Sequence, residues 1–183
     1  MLLLPNFLRF FARFALFCAG LMLISACTPT LNWREVRLQS PDGSTLKAEL
    51  PCKPDAATRK QQLSDIQIEL SMMGCMAGDA TFTLSRIPVL DPLSAPKILS
   101  AWQAAAETNV KAGPTPKTAV TVSGAGAWPP AGRVTLAGTA TQAHIIWFAK
   151  QTNKGLTLYQ AALYGKPPSN EAINTFFESL RIQ

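Results

Sequence analysis

Four cysteines and a single histidine are the side chains in this sequence best suited to chemistry. They are Cys18, Cys27, Cys52, Cys75 and His144. A catalytic histidine needs a nucleophile or a carboxylate within hydrogen-bond reach, and the apolar segment around His144 offers neither nearby in sequence. Cys52, Cys75 and this distant histidine also fall short of the four ligands typical of structural zinc. We therefore predict a structural histidine, no catalytic residues, no metal site and no cofactor.

The glycine-rich and acidic segments add no recognisable site. Residues 123–126 lack the patterns of a hydrolase nucleophile elbow and of a dinucleotide fingerprint, so we predict a flexible loop. Asp65 and Glu69 alternate along a predicted strand and are expected on its solvent face. Trp128 lies in the proline-rich segment 127–130, and a rigid loop that carries a tryptophan could be a protein contact. The alternative is a tryptophan that packs back onto the core.

The first 26 residues have the features of an export signal. Arg9 and Arg13 form a basic start without acidic residues, and residues 14–24 form an apolar run. A signal peptide has this basic region and a short apolar core, whereas a membrane-spanning helix needs about 20 apolar residues. The alternative is an uncleaved anchor helix in which Cys27 is an ordinary thiol.

Small and apolar residues end this segment, in the order Ile24, Ser25, Ala26 and Cys27. The tetrad resembles the lipobox of bacterial lipoproteins. The resemblance implies cleavage before Cys27, a diacylglycerol thioether on its sulfur, and acylation of the new amino terminus with a fatty acid such as palmitate. Several acyl chains anchor a protein far more firmly than one. We therefore predict an envelope protein anchored to the membrane through Cys27 and facing the periplasm. Thr28, in place of the aspartate typical of inner-membrane retention, favours the outer membrane.

Cleavage would leave residues 27–183, with 15 basic and 11 acidic residues and a net charge of +4. The charge is scattered, without a run of Lys or Arg, so we predict no nucleic-acid partner and only a weak attraction to anionic lipids. Residues 27–32 form the lipidated cysteine and a short tether, which spans at most about 17 Å. Residues 33–183 are predicted to form one domain.

The oxidising compartment that this export implies would decide the state of Cys52 and Cys75. Cys18 would leave with the leader, and Cys27 would carry lipid. Disulfides persist in exported proteins, and a bridge between Cys52 and Cys75 would stabilise the fold by about 3 kcal/mol. Two buried free thiols are the alternative.

Alternating apolar residues predict strands, and apolar residues at helical spacing predict two helices. The predicted strands cover residues 33–38, 45–52, 63–72, 80–87, 133–138, 143–150 and 155–163, with 117–122 as a further candidate. A hairpin loop is expected at residues 74–79. A long helix begins at Pro96 and runs to Val110, and a short helix follows Pro168 with Ser169 or Asn170 as its cap. This pattern favours an α+β fold, an antiparallel sheet covered by one long helix and one short C-terminal helix.

Three features carry a resemblance to a known fold family. They are the strand of residues 46–51 that ends in a proline, the long helix after the second hairpin, and residues 176–180 near the end. Together they resemble PsbP/Mog1-like domains over residues 33–182. The resemblance implies a protein-binding role and assigns no functional residue. We expect a non-enzymatic lipoprotein that binds an envelope protein; a small apolar-ligand binding protein and a hydrolase that uses His144 are the alternatives.

Overall fold

Ten strands and two α-helices make up residues 31–183, the part of the chain that the computed structural model describes. The strands are β1 (Arg34–Gln39), β2 (Thr45–Leu50), β3 (Asp55–Leu63), β4 (Ile66–Ala77), β5 (Ala80–Val89), β6 (Thr118–Ala119), β7 (Gly132–Ala137), β8 (Gln142–Thr152), β9 (Gly155–Gly165) and β10 (Arg181–Ile182). The helices are α1 (Ala95–Val110) and α2 (Asn170–Glu178), and a turn of 3-10 helix (Pro92–Ser94) precedes α1. The predicted α+β class is confirmed. The predicted leader and the lipobox lie outside the described residues.

The strands form two antiparallel sheets, whereas the sequence predicts one. The larger sheet has the order β3-β4-β5-β9-β8-β7-β6, and the smaller has the order β1-β2-β10. The smaller sheet pairs the first hairpin with the end of the chain, because Arg181 and Ile182 lie opposite Lys47 and Leu46. The first hairpin, β1 and β2, and the last strand, β10, therefore lie side by side in one sheet.

Both faces of the larger sheet are buried over its central strands β5, β9 and β8. One face packs against the smaller sheet and α2 around Phe82, Tyr159 and Phe176, and the other packs against α1 around Trp102 and Leu158. Successive strand residues point to opposite faces, so the central strands need apolar residues at nearly every position. This explains the continuous apolar character of β8 and β9, where prediction from the sequence succeeds. Each fully buried large side chain contributes about 1.5–3 kcal/mol.

The two helices follow the predicted patterns. In α1, Ile98, Trp102, Ala106 and Val110 recur every four residues and are buried. In α2, the side chain of Ser169 accepts a hydrogen bond from the amide of Ala172 at 3.1 Å, which is the predicted N-terminal cap. Neither helix of residues 31–183 is long and apolar enough to cross a bilayer.

The structure differs from the predictions in the region of β3, β4 and β5. β3 was not predicted, because every residue from Asp55 to Gln62 is exposed and the strand has no apolar face. β4 runs on to Ala77, so Cys75 lies in the strand and the expected loop at residues 74–79 shrinks to a tight turn. Ser85 was expected to face solvent, but it is fully buried because α1 covers that side of the sheet.

The predicted disulfide is present between Cys52 and Cys75. Cys52 follows the last residues of β2, and Cys75 lies in β4. Because these strands belong to different sheets, the bridge joins the two sheets covalently. We call the end of the domain that contains this bridge the tether-side end.

Candidate functional site

The larger sheet divides between β4 and β5 at the end opposite the disulfide. The pairing of the two strands stops at Ser71 and Arg86. However, β4 begins at Ile66, where it pairs only with β3, and β5 continues to Val89, where it pairs only with β9. Pro88 has no amide hydrogen and cannot donate a hydrogen bond to the ladder. The strands therefore part and leave a space between them, which we call the distal cleft.

The distal cleft has a volume of about 490 Å³. Its apolar lining comes from Pro41, Ile66, Ile68, Pro88, Val89, Leu90 and Ile98, and its polar lining from Lys60, Gln67, Glu69, Asp91 and Ser94. A size of about 300–1,000 Å³ and a mostly apolar lining with few polar groups are typical of ligand sites in proteins. The cleft is therefore the candidate binding site.

Leu90 lines the cleft, and Leu93 lies in the same turn, between the lining residues Asp91 and Ser94; we call the position of these two exposed leucines the mouth of the cleft. Leu90 is 101% exposed and Leu93 is 89% exposed. The turn that carries them is held in place, because the Asp91 carboxylate accepts a hydrogen bond from the amide of Leu93 at 3.0 Å. The hydroxyl of Ser94 also donates to the carbonyl of Asp91 at 2.7 Å. The apolar surface at this position is thus fixed by local geometry, and covering it would gain about 1.5–3 kcal/mol per leucine.

One wall of the cleft is held against α1. Leu63 and Ile68, from the β3–β4 hairpin, pack in the same apolar cluster as Ile98 of α1. The ammonium group of Lys97 donates to the carboxylate of Asp65 at 2.6 Å, and this hydrogen bond is the main cause of the lowered pKa of Asp65. Both side chains are exposed, so the ion pair adds little stability. Apolar packing therefore directs the hairpin toward α1 and away from β5.

A buried hydrogen-bond network holds the turn that carries Pro41. The Asp42 carboxylate accepts hydrogen bonds from the amide and the hydroxyl of Ser44, at 2.9 and 2.5 Å, and from the hydroxyl of Thr157 at 3.0 Å. The hydroxyl of Tyr159 lies 2.6 Å from that of Ser40 and 2.8 Å from that of Ser44. Burial raises the pKa of Tyr159.

This network brings together an aspartate, two serines and a tyrosine, a set that sequence analysis did not identify. Asp42 and Ser44 are 7% and 3% exposed, so a substrate cannot reach them. The sequence signal was the turn at residues 40–43, which predicts a change of chain direction but not the burial of its aspartate. We interpret the network as a structural support for the rim of the cleft.

His144 lies on β8, away from the cleft. Its Nδ1 is 3.1 Å from the hydroxyl of Thr135 on β7. Burial lowers the pKa of His144, and the nearby charge of Arg133 lowers it further. The guanidinium of Arg133 itself lies over the ring of Phe177, 4.8 Å from its centroid. Among the described residues, His144 has no hydrogen bond to a serine or a carboxylate.

Trp128 is 51% exposed, so its indole is not fully packed onto the core. Its loop contacts β8 through the amide of Gly126, which donates to the carbonyl of Ala149 at 2.7 Å. Strands β5 and β9 lie between β8 and the distal cleft. The structure therefore does not bring Trp128 and the cleft together, and its role as a protein contact stays a prediction.

The structure does not bring the other candidate residues from the sequence, Asp65 and Glu69, together in one site. Glu69 is partly buried and lines the cleft, whereas Asp65 is exposed in the β3–β4 turn. Cys27 lies outside the described residues, so its lipidation stays a prediction. Within residues 31–183, no three His, Cys, Asp or Glu side chains are grouped so that they could hold a metal ion.

No protein-family model matches the sequence, and no curated protein matches it either. Among solved structures, the chain is similar to LpqN of Mycobacterium tuberculosis, whose crystal structure is described as that of a protein involved in cell envelope biogenesis. The match has a TM-score of 0.43 and 11% sequence identity, and it covers 83% of this chain and 92% of the LpqN chain. At this level of similarity no function is transferred from LpqN to this chain. The resemblance to PsbP/Mog1-like domains stays a prediction.

Proposed function

We propose that this protein is a lipid-anchored, non-enzymatic binding protein of the bacterial cell envelope, and that the distal cleft binds an apolar segment of an envelope protein. The observation that carries the proposal is the cleft between β4 and β5, together with the exposed Leu90 and Leu93 at its mouth. The lipobox-like tetrad that ends at Cys27 supports the location, with the outer membrane favoured by Thr28. The Cys52–Cys75 disulfide is in keeping with an oxidising compartment.

Two features favour a protein segment over a small molecule. Leu93 is exposed and does not line the cleft, so a small ligand inside the cleft would leave it in water, whereas a segment that extends out of the cleft would cover it. Over Ile66 to Leu70, β4 pairs only with β3, so its opposite edge can form backbone hydrogen bonds with an extended segment. Addition of a strand to an open sheet edge, with pockets for alternate side chains, is a recurring mode of peptide recognition.

A small apolar ligand is the second candidate, and the volume of the cleft favours it. About 490 Å³ lies within the range of typical small-molecule sites. The two candidates differ in the mass of the bound molecule. A hydrolase remains the least supported alternative, since the contacts of His144 are with Thr135 and lie away from the cleft.

In-cell photo-crosslinking tests the proposal. A photoreactive amino acid at Leu93 should give a defined covalent adduct with an envelope protein, and the same probe at exposed Ala104 on α1 should give none. A protein adduct at Leu93 that disappears when Leu90 is changed to Ser would support the cleft as the contact. Leu90→Ser should change stability by no more than about 0.5 kcal/mol, because the side chain is in water.

Other outcomes of this experiment decide between the remaining functions. A probe at Leu90, which lines the cleft, that gives an adduct of a few hundred daltons would identify the small-ligand candidate instead. Equal labelling at Leu93 and Ala104, or labelling at none of the positions Leu90, Leu93 and Ala104, would refute binding at the cleft. Trp128→Ala serves as a parallel test of the other exposed apolar site, and retention of every partner by that variant would exclude Trp128 as the contact.

A further inference from the structure

The chain enters the domain at a fixed position beside the disulfide. Leu31 packs against the apolar core, and the amide of Asn32 donates a hydrogen bond to the carbonyl of Pro51 at 2.7 Å. Trp33 then contacts Phe82 edge-on, with ring centroids 6.2 Å apart. Because these contacts fix residues 31–33 to the domain, its distance from Cys27 is counted from Leu31.

The length of chain before Leu31 limits how far this end can lie from a lipid anchor. Four peptide units separate Cys27 from Leu31, and fully extended they span at most about 14 Å. The headgroup region on one side of the hydrocarbon core is about 5–8 Å thick, so even a fully extended tether keeps Leu31 within about 10 Å of its outer surface. If Cys27 carries lipid, the surface around Leu31 therefore lies at the headgroups or within about 10 Å of them.

The surface near this entry point exposes an apolar side chain among charges. Cys52, next to Pro51, has its sulfur 3.2 Å from the carbonyl oxygen of Met76. The side chain of Met76 is 72% exposed. The amide of Lys166 donates to the carbonyl of Asp79 at 3.2 Å in the adjoining turn. We call the exposed residues Lys53, Asp55, Met76, Asp79 and Lys166 the tether-side surface.

We infer that the tether-side surface rests on the lipid bilayer, with Met76 at the headgroups, and that the distal cleft opens away from the membrane. The position of the cleft on the side away from the membrane follows from the direction of β5. β5 runs from Ala80, next to this surface, to Val89, which lines the cleft. Ten strand residues span about 33 Å. The cleft therefore lies up to about 30 Å further from the bilayer than Met76 does, the full distance applying where β5 is perpendicular to the membrane.

The tether, rather than charge, sets this orientation. Lys53 and Lys166 are balanced by Asp55 and Asp79, so attraction to anionic headgroups contributes little. We therefore expect the same orientation on a purely zwitterionic bilayer. The inference rests on the proposed lipid anchor at Cys27. The experiment below distinguishes failure of the anchor from failure of the orientation.

Methyl NMR of the mature lipidated protein in nanodiscs tests the orientation. The nanodiscs contain phosphatidylcholine and a trace of lipid whose headgroup chelates gadolinium, with lutetium as the diamagnetic control. Met72, Met73 and Met76 are the native methyl reporters of residues 27–183, and Leu90→Met adds a reporter at the exposed cleft rim. We expect gadolinium to eliminate the Met76 signal and to leave the signal of the Leu90→Met variant intact.

A tether-extension variant provides the matched control. Twenty Gly/Ser residues inserted between Thr30 and Leu31 would allow about 25 Å of root-mean-square separation, and the two reporters should then broaden equally. Equal broadening with the native tether would overturn the orientation, and an unchanged difference with the long tether would overturn the short tether as its cause. A free sulfhydryl at Cys27, measured by mass spectrometry of the same sample, would overturn the anchor and the orientation together.

Discussion

Removal of the disulfide should destabilise this domain by an amount that follows from its position in the chain. Cys52 and Cys75 are 23 residues apart. The loop-closure entropy of a cross-link of this length corresponds to about 3 kcal/mol at 25 °C. For a domain of this size, a loss of that magnitude lowers the Tm by roughly 10 °C. The double variant Cys52→Ala, Cys75→Ala should show this loss.

Urea unfolding of the mature protein in mild detergent, followed by circular dichroism, measures the effect. Wild-type protein treated with dithiothreitol should lose the same free energy of unfolding as the double variant, and the double variant should not respond to dithiothreitol. The urea dependence should steepen in both, because the unfolded chain becomes less compact without the cross-link. A loss below about 1 kcal/mol in both samples would refute the loop-closure argument. It would also show that the packing between the two sheets suffices without a covalent link.

Three further substitutions test other parts of the structure. Tyr159→Phe removes a buried hydroxyl that contacts two serines and should cost about 1–3 kcal/mol in urea unfolding; a neutral result would contradict a structural role for the network. The lowered pKa of His144 means that the folded state resists protonation, so its contribution to stability is complete above about pH 6.5 and declines as the pH falls below that value. The His144→Gln variant should therefore lose less free energy of unfolding than the wild type between about pH 7 and pH 5. A larger loss in the variant would show that the pKa of His144 is not lowered in the folded state. Gly124 has a φ of +77°, and a Cβ there would lie 2.0 Å from the carbonyl oxygen of Ile182, so Gly124→Ala should cost more than about 2 kcal/mol. Gly113→Ala, which meets nothing within 4 Å, is the matched control and should have no measurable effect on thermal unfolding.

The elements that were predicted well carry their signal within a few residues. In α2, the cap at Ser169 and the stripe that contains Ile173, Phe176 and Phe177 are all local features. In β2, Leu46, Ala48 and Leu50 alternate with charged residues and are fully buried. Local patterns of this kind reflect which side chains leave water, and burial is the dominant contribution to stability.

The elements that were missed depend on partners distant in sequence. β3 is an edge strand that is exposed along nearly its whole length, and nine residue pairs with β4 hold it in place. Its sequence has no apolar alternation to detect. Thr83 and Ser85 show the converse, since an alternation that predicts a solvent face is buried by α1.

The distal cleft also depends on contacts between residues that are distant in sequence. The alternation of Ile66, Ile68 and Leu70 predicts a strand, but it does not reveal that these residues, which precede Ser71, are not paired with β5. The separation of the strands follows from the packing of the β3–β4 hairpin on α1 and from the proline at position 88 of β5. Both causes are tertiary, so the candidate site was visible only once the sheet order was known.

The two ends of the sheet together favour a protein as the occupant of the cleft. At the tether-side end, β4 and β5 are joined by a tight turn and β4 is bridged to β2, while at the far end the same strands part. If the tether-side surface rests on the bilayer, as we infer above, the cleft opens up to about 30 Å from Met76. A lipid would have to leave the membrane completely to reach Leu90 and Leu93, at a cost of about 0.8 kcal/mol for each CH₂ group transferred to water. A protein segment in the aqueous space meets the cleft without that cost, and its apolar side chains would cover both rim leucines at once.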